Sequence, residues 1–194
     1  MSNISMTTSK RNAIVTVMLI SAFVSMLNQT ILNTALPAII KGLNITETTA
    51  QWLITGFMLV NGIMIPLTAF LMDKYSTRHL YIFSMAIFLI GSIVAAFSPT
   101  FTILMISRII QAIGAGILLP LMQFTVFTLF PAEQRGFAMG LAGVVVQSAP
   151  AIGPTLTGLF VDLFSWRMPF YLVSAIAAVA FILGFFFVEN NTKT

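Results

Sequence analysis

The stretch GLAGVVVQSAPAIGPTLTGLF, from Gly140 to Phe160, is apolar along most of its length but contains four glycines and two prolines. A proline inside a helix removes a backbone hydrogen bond and normally bends the helix, yet both residue types are commoner in membrane-spanning helices than in soluble ones. At helical spacing, one face of this region carries almost no side-chain bulk. This smooth face consists of Gly136, Gly140, Gly143, Gln147, Ala151, Pro154 and Gly158. We therefore expect a bent helix in lipid whose smooth face serves either ordinary packing or a close, adjustable helix contact.

The composition of the whole chain indicates a membrane protein. Apolar residues make up 58% of its 194 residues and charged residues only 7%, and the mean hydropathy is +1.01. A soluble domain carries about 25% charged residues. This chain cannot bury so much apolar surface in one globule, so its solvent is expected to be lipid. The formal net charge of +4 comes from basic residues spread singly along the chain, which predicts no patch for nucleic acid.

The residue types that carry most site chemistry are scarce. The chain has no cysteine and one histidine, His79, which excludes a disulfide framework, a thiol nucleophile and a histidine-cluster metal site. No apolar stretch contains a histidine–carboxylate or serine–base grouping. We therefore expect neither a metal nor another cofactor, and we do not expect an enzyme.

Six apolar stretches are each long enough to cross a bilayer, which takes about 20 residues. The first is too long for the apolar part of a signal peptide, and five more follow it. The chain thus reads as an all-α membrane protein, with a membrane domain at 12–189 between cytoplasmic tails at 1–11 and 190–194. The apolar stretches cover roughly residues 13–40, 50–72, 79–97, 101–129, 136–163 and 168–188.

The lysines and arginines between these stretches predict the orientation. Cytoplasmic loops are enriched in basic residues. With the N-terminus inside, only Lys41 and Arg167 lie outside. The basic residues on the inner side are Lys10, Arg11, Lys74, Arg78, Arg135 and Lys193. We expect a multi-pass protein of the cell membrane with both termini cytoplasmic.

Arg108 is the one basic residue inside a span, in LMISRIIQAIGAGILLPLM. An arginine at membrane depth costs about 2.5–3.5 kcal/mol on insertion scales. It is therefore expected to face a protein interior or a watery cavity, together with Gln111 one turn further on. The alternative is that Arg108 extends to the outer interface.

The first span contains LNQTILNTALPAI, in which Asn28, Thr30 and Asn33 lie at the middle of a lipid-crossing helix. Such residues either bond across helices or line a cavity. The turn after the second span, DKYSTRH, places Asp73 beside Lys74 and Arg78. It is either a solvated connector or a charge cluster that locks two helices together.

Four motifs in order resemble those of the major facilitator superfamily, most closely its fourteen-span drug:proton antiporters. The resemblance covers about residues 13–188. In the first span the matching residues are Thr30, Asn33, Ala35, Leu36 and Pro37. In the turn they are Leu71, Asp73, Lys74 and Arg78, in the fourth span Arg108, Gln111, Gly114, Gly116 and Pro120, and in the fifth span Gly153, Pro154 and Gly158.

The resemblance implies one half of a major facilitator fold, which exports small molecules by alternating access. Arg108 and Gln111 would serve proton coupling, and Asp73, Lys74 and Arg78 would gate the cytoplasmic side. The antiporter motif, Gly153, Pro154 and Gly158, would set a helix contact. The cavity would be lined by Asn28, Thr30, Asn33 and Gln147. The implied partners are a small amphipathic substrate, hydrophobic or cationic, a proton, the bilayer and a second half of six or eight helices.

Two features depart from this pattern. Asn28 stands where these antiporters carry an acidic residue, and an amide cannot bind and release a proton. The chain also has six spans, whereas the family's transporters have about twice that number. The alternative is a membrane half-protein, truncated or split, that does not transport or that depends on a partner.

Overall fold

The computed structural model describes residues 7–188, and these form six α-helices. All six are long and apolar enough to cross a membrane, which confirms the six predicted spans. No strand occurs within the described range. The helices are α1 (Thr8–Leu43), α2 (Glu47–Lys74), α3 (Thr77–Ala96), α4 (Phe101–Leu129), α5 (Ala132–Leu163) and α6 (Met168–Phe187).

The start of α1 differs from the tail boundary predicted at residue 11. Residues 8–11 form the first turn of the helix instead, because no glycine or proline separates them from the apolar run. The predicted tail at 190–194 lies outside the described residues.

Side-chain caps mark the starts of three helices that follow short connections. Thr46, Ser76 and Thr100 each accept a hydrogen bond from a backbone N–H of the first turn of α2, α3 and α4, respectively. Such side chains satisfy helix donors that have no partner within the helix. Asn44 ends α1 in the left-handed conformation, with φ of 50°.

Contacts between helix ends show that α1 and α4, and likewise α3 and α6, run in opposite directions. Arg11, at the start of α1, lies with its guanidinium carbon 4.5 Å from the centroid of the Phe130 ring, directly after α4. Arg78 Nη2, at the start of α3, donates to the carbonyl oxygen of Phe185, near the end of α6, at 3.1 Å. At the other end of the same pair, Arg167 Nη2 donates to the carbonyl oxygen of Ser98 at 2.7 Å. We call the end at which α1 begins the basic end. It carries Lys10, Arg11, Lys74, Arg78 and Arg135.

Two helices lie at the centre of the bundle. α1 packs on α4, α5 and α6, and α4 packs on α2 and α3. In the most apolar stretch of 18 residues of each helix, 56% of the residues are buried in α1 and in α4, but only 22% in α2 and in α5. α2 and α5 therefore present large exposed faces.

Glycines allow close contact around α4. A Cβ on Gly114 would lie 2.6 Å from the carbonyl oxygen of Ser84 on α3. A Cβ on Gly116, on the other side of α4, would meet the Cβ of Met64 on α2. Thr68 Oγ1 donates to the carbonyl oxygen of Gly116 at 3.2 Å. Small residues that let backbones approach in this way are the usual means of helix association in lipid.

Candidate functional site

A chain of polar side chains crosses the middle of the bundle from α1 through α4 to α3. Gln111 is at its centre. Gln111 Oε1 accepts hydrogen bonds from Arg108 Nη1 at 2.8 Å and from Asn28 Nδ2 at 3.3 Å. Gln111 Nε2 donates to Ser92 Oγ at 3.1 Å. All four side chains are buried, so we treat them as one unit, the central polar network.

Arg108 lies inside the protein. It is 1% exposed, which excludes the alternative that it extends to the interface. Its guanidinium carbon lies 4.1 Å from the centroid of the Phe57 ring on α2, a cation–π distance. Arg108 Nε and Asn28 Oδ1 are both buried without a hydrogen-bond partner in the described chain.

The positive charge of Arg108 has no carboxylate beside it within residues 7–188. The four acidic residues of this range all lie within two residues of a helix end, namely Glu47, Asp73, Glu133 and Asp162. A buried charge without a counter-charge is costly. Within residues 7–188, the charge of Arg108 is therefore stabilised by its hydrogen bond to Gln111 and by the Phe57 ring.

A small cavity of about 30 Å³ adjoins Arg108, between α1, α2 and α4. Its walls include the amide side chains of Gln29 and Asn33 and the apolar side chains of Ile54, Phe57 and Met58. Asn33 is exposed, and Met58 is 63% exposed, so the rim of the cavity lies at the protein surface.

A second, larger cavity lies between α1, α4 and α5. Its volume is about 300 Å³, and Gln147 is among its lining residues. The other lining residues are Met26, Leu119, Met122, Gln123, Met139, Ala142, Gly143 and Val146. We call it the methionine cavity.

The structure separates the four residues assigned to the substrate cavity. Asn28 belongs to the central polar network, Asn33 lines the small cavity and Gln147 lines the methionine cavity. Thr30 belongs to none of these three places. Its hydroxyl donates to the carbonyl oxygen of Leu27 at 2.9 Å and contacts Gly153 on α5. These residues therefore do not form one pocket within this chain.

The glycines of the smooth face of α5 pack against no other helix in the described part of the chain, although Gly143 and Gln147 of this face line the methionine cavity. No atom lies within 4 Å of the place where a Cβ on Gly136, Gly140, Gly143 or Gly158 would be. α5 instead packs on α1 through a different face, on which Gly153 contacts Thr30 and Leu27. Of the antiporter motif, Gly153 is thus buried, whereas Pro154 is exposed.

The side chains of the turn between α2 and α3 have separate partners. Lys74 Nζ lies 4.4 Å from the centroid of the Phe70 ring, and Arg78 binds the carbonyl oxygen of Phe185. Asp73 is exposed and makes no ion pair with either cation. In this structure the turn holds α3 to α6 through Arg78.

Three residues that contact the central polar network or join the helices were not singled out from the sequence. Ser92 is one of several serines in apolar spans, and Phe57 is one of 18 phenylalanines, so neither carries a signal of its own. Tyr81 is also buried in a span. Its hydroxyl pairs with Ser21 Oγ at 2.7 Å and donates to the carbonyl oxygen of Ala180 at 2.9 Å, which joins α1, α3 and α6. A tyrosine within a span is the signal that would have found it.

Known proteins resemble the chain in both sequence and fold. It is 52% identical over 182 residues to the MFS-type transporter YcnB of Bacillus subtilis, which covers 94% of this chain and 39% of YcnB. It is 40% identical over 177 residues to the lincomycin resistance protein LmrB of Bacillus subtilis, covering 91% of this chain and 37% of LmrB. The chain therefore spans less than half the length of these relatives.

A solved structure confirms the architecture. The fold matches a bacterial homolog of the human lysosomal transporter Spinster, in an inward-facing and unoccupied conformation, with a TM-score of 0.82 at 15% identity. The match covers 97% of this chain and 45% of that transporter, so the six helices form one half of its fold. A family model described as Major Facilitator Superfamily matches residues 18–194. This multi-pass membrane chain belongs to the Major Facilitator Superfamily, a family of transporters rather than of enzymes.

Proposed function

We propose that the chain forms the N-terminal half of a proton-coupled exporter of hydrophobic or cationic small molecules. The relative named for lincomycin resistance supports a role in drug export, since it is 40% identical over most of this chain. Transport would proceed by alternating access, in which the two halves of the protein rock against each other. The basic end would face the cytoplasm, because it carries most of the loop lysines and arginines.

The central polar network is the observation that carries this proposal. A buried arginine in a span is expensive, so its presence indicates a role that apolar packing cannot fill. Arg108 is linked through Gln111 to both α1 and α3, so a change at its guanidinium alters hydrogen bonds in three helices. This arrangement suits a residue that couples ion binding to helix movement.

The proton itself needs a group that titrates. Asn28 does not, and the carboxylates of residues 7–188 all lie at helix ends. We therefore assign proton binding to the part of the transporter that this chain does not include. Arg108 would respond to the charge of that group across the interface between the halves.

The methionine cavity is the proposed contact of this half with the substrate. Methionine side chains are flexible and polarisable and suit surfaces that accept differently shaped apolar molecules. Gln123 and Gln147 add hydrogen-bonding groups to Met26, Met122 and Met139. No carboxylate lines the cavity, so selection of a cationic substrate would also rest on the second half.

The exposed faces of α2 and α5 support a partner half. The smooth face of α5 offers backbone and small side chains over several turns, which allows another helix to approach closely. The exposed Asp73 lies at the basic end, where it is free to pair with a group of the second half and so to contribute to gating with Lys74 and Arg78.

The test is efflux of a fluorescent lipophilic cation from cells that express the longest version of the protein carrying this chain. We expect efflux that stops when the proton gradient is collapsed. Arg108→Ala should reduce efflux at least about tenfold, because one lost charge-assisted interaction of ~1.4 kcal/mol already gives that factor. Arg135→Ala, a matched loss of arginine at the basic end, should leave efflux unchanged. Gradient-independent efflux, or equal effects of the two variants, would contradict the proposal.

A further inference from the structure

The cavity beside Arg108 has no part in the transport proposal, which uses Arg108 itself only for coupling. The guanidinium is 1% exposed and permanently charged, and its Nε has no hydrogen-bond partner in the described range. Buried charges in proteins are normally paired with an opposite charge. No acidic side chain of residues 7–188 lies near enough to fill that role.

The small cavity has the donor set of an anion site. Besides Arg108, its polar walls are the amide side chains of Gln29 and Asn33, each of which offers N–H donors. Gln29 Nε2 has only a weak partner, the sulfur of Met26 at 3.6 Å. Ile54, Phe57 and Met58 form the remaining walls, so no carboxylate opposes an anion there.

The size of the cavity limits the ligand. A volume of about 30 Å³ has room for roughly two water-sized spheres at about 10–15 Å³ each. This admits a monatomic anion and excludes an organic acid of several carbons. The exposed rim residues Asn33 and Met58 provide an entry path.

We propose that Arg108, Gln29 and Asn33 bind a small halide-type anion, chloride in a cell, in this cavity between α1, α2 and α4. The anion supplies the counter-charge that an acidic side chain on α1 would otherwise provide. Asn28 and Arg108 donate to the same oxygen of Gln111, so a carboxylate at position 28 would stand close enough to replace the anion.

Thermal unfolding in detergent tests the site without any transport measurement, so it can fail independently of the proposed function. The midpoint is compared in chloride, bromide and gluconate at equal ionic strength, on the longest version of the protein that carries this chain. Gluconate is too large for the cavity. We expect chloride and bromide to raise the midpoint by at least about 3 °C in a saturable way, since a ligand that binds only the folded state stabilises it.

Three variants make the test specific. Arg108→Gln should abolish the halide response. Asn28→Asp should also abolish the halide response. Its unfolding midpoint in gluconate should be at least as high as the midpoint of the unaltered protein in chloride. Arg135→Gln, which removes an arginine that binds the carbonyl oxygen of Phe130 at the basic end, should keep the full response.

The unaltered protein unfolding at one temperature in all three salts would overturn the proposal, and would mean that only water occupies the cavity. A halide response that persists in Asn28→Asp would overturn it as well. That second comparison stands even where Arg108→Gln fails to fold.

Discussion

Asn28 on α1 and Arg108 on α4 meet at one atom, the Oε1 of Gln111, at 3.3 and 2.8 Å. The contact makes Gln111 the acceptor for both residues and fixes the orientation of its amide, whose nitrogen then points to Ser92. Position 28, where the resemblance to the antiporters predicts an acid, is therefore connected to the arginine through the amide of Gln111.

Gln111→Leu is expected to destabilise the protein more than loss of one hydrogen bond would. It leaves Arg108 Nη1 and Asn28 Nδ2 without their acceptor, and unsatisfied buried donors cost about 1–3 kcal/mol each. We expect a loss of at least about 2 kcal/mol for the two donors, against about 1 kcal/mol for Ser92→Ala, which leaves only Gln111 Nε2 without its acceptor. Thermal unfolding midpoints of the purified variants measure the difference.

Gln111→Glu is the control for that comparison, because a carboxylate keeps the shared acceptor and adds a charge opposite to that of Arg108. It should lie closer to the unaltered protein than Gln111→Leu does. Equal losses in the leucine and alanine variants would show that the shared oxygen has no special importance.

The span pattern predicted the fold because it reports a property of each helix taken alone. Length and apolarity identified all six helices, and the cost of a charge in lipid favoured the buried position that Arg108 occupies over one at the outer interface. The spacing of Arg108 and Gln111 on one helix face likewise placed them together. Local physics was sufficient for these features.

The assembly of the site depended on contacts between helices, which the sequence pattern does not contain. Phe57 and Ser92 reach the network only because Gly91, Gly114 and Gly116 let α2 and α3 approach α4 closely. Thr30 and Asn33 are separated because the first points to α5 and the second to the small cavity. The helical spacing of residues on α1 does not indicate which of them faces α5 and which faces the small cavity.

The orientation of the bundle is open to a direct test, because the chain has no cysteine. Thr48 and Gln134 are exposed residues at opposite ends of the bundle, beside the starts of α2 and α5. We expect a membrane-impermeant thiol reagent added to intact cells to label Thr48→Cys and not Gln134→Cys. Both should react after the cells are opened, and the reverse pattern in intact cells would place the basic end outside.

The two kinds of glycine on α5 should respond differently to bulk. Gly153 contacts Thr30 on α1, so Gly153→Leu should force α1 and α5 apart and lower the unfolding midpoint of this chain. Gly140 has no atom of another helix near the place of its missing side chain and does not line the methionine cavity. Gly140→Leu should therefore change the free energy of unfolding by no more than about 0.5 kcal/mol. In a longer version of the protein that exports a dye, the same Gly140→Leu should reduce efflux, because the smooth face would then meet the second half. Normal efflux in that variant would show that the smooth face contacts no moving partner, whereas a large fall in midpoint for the isolated chain would show that this face already packs within it.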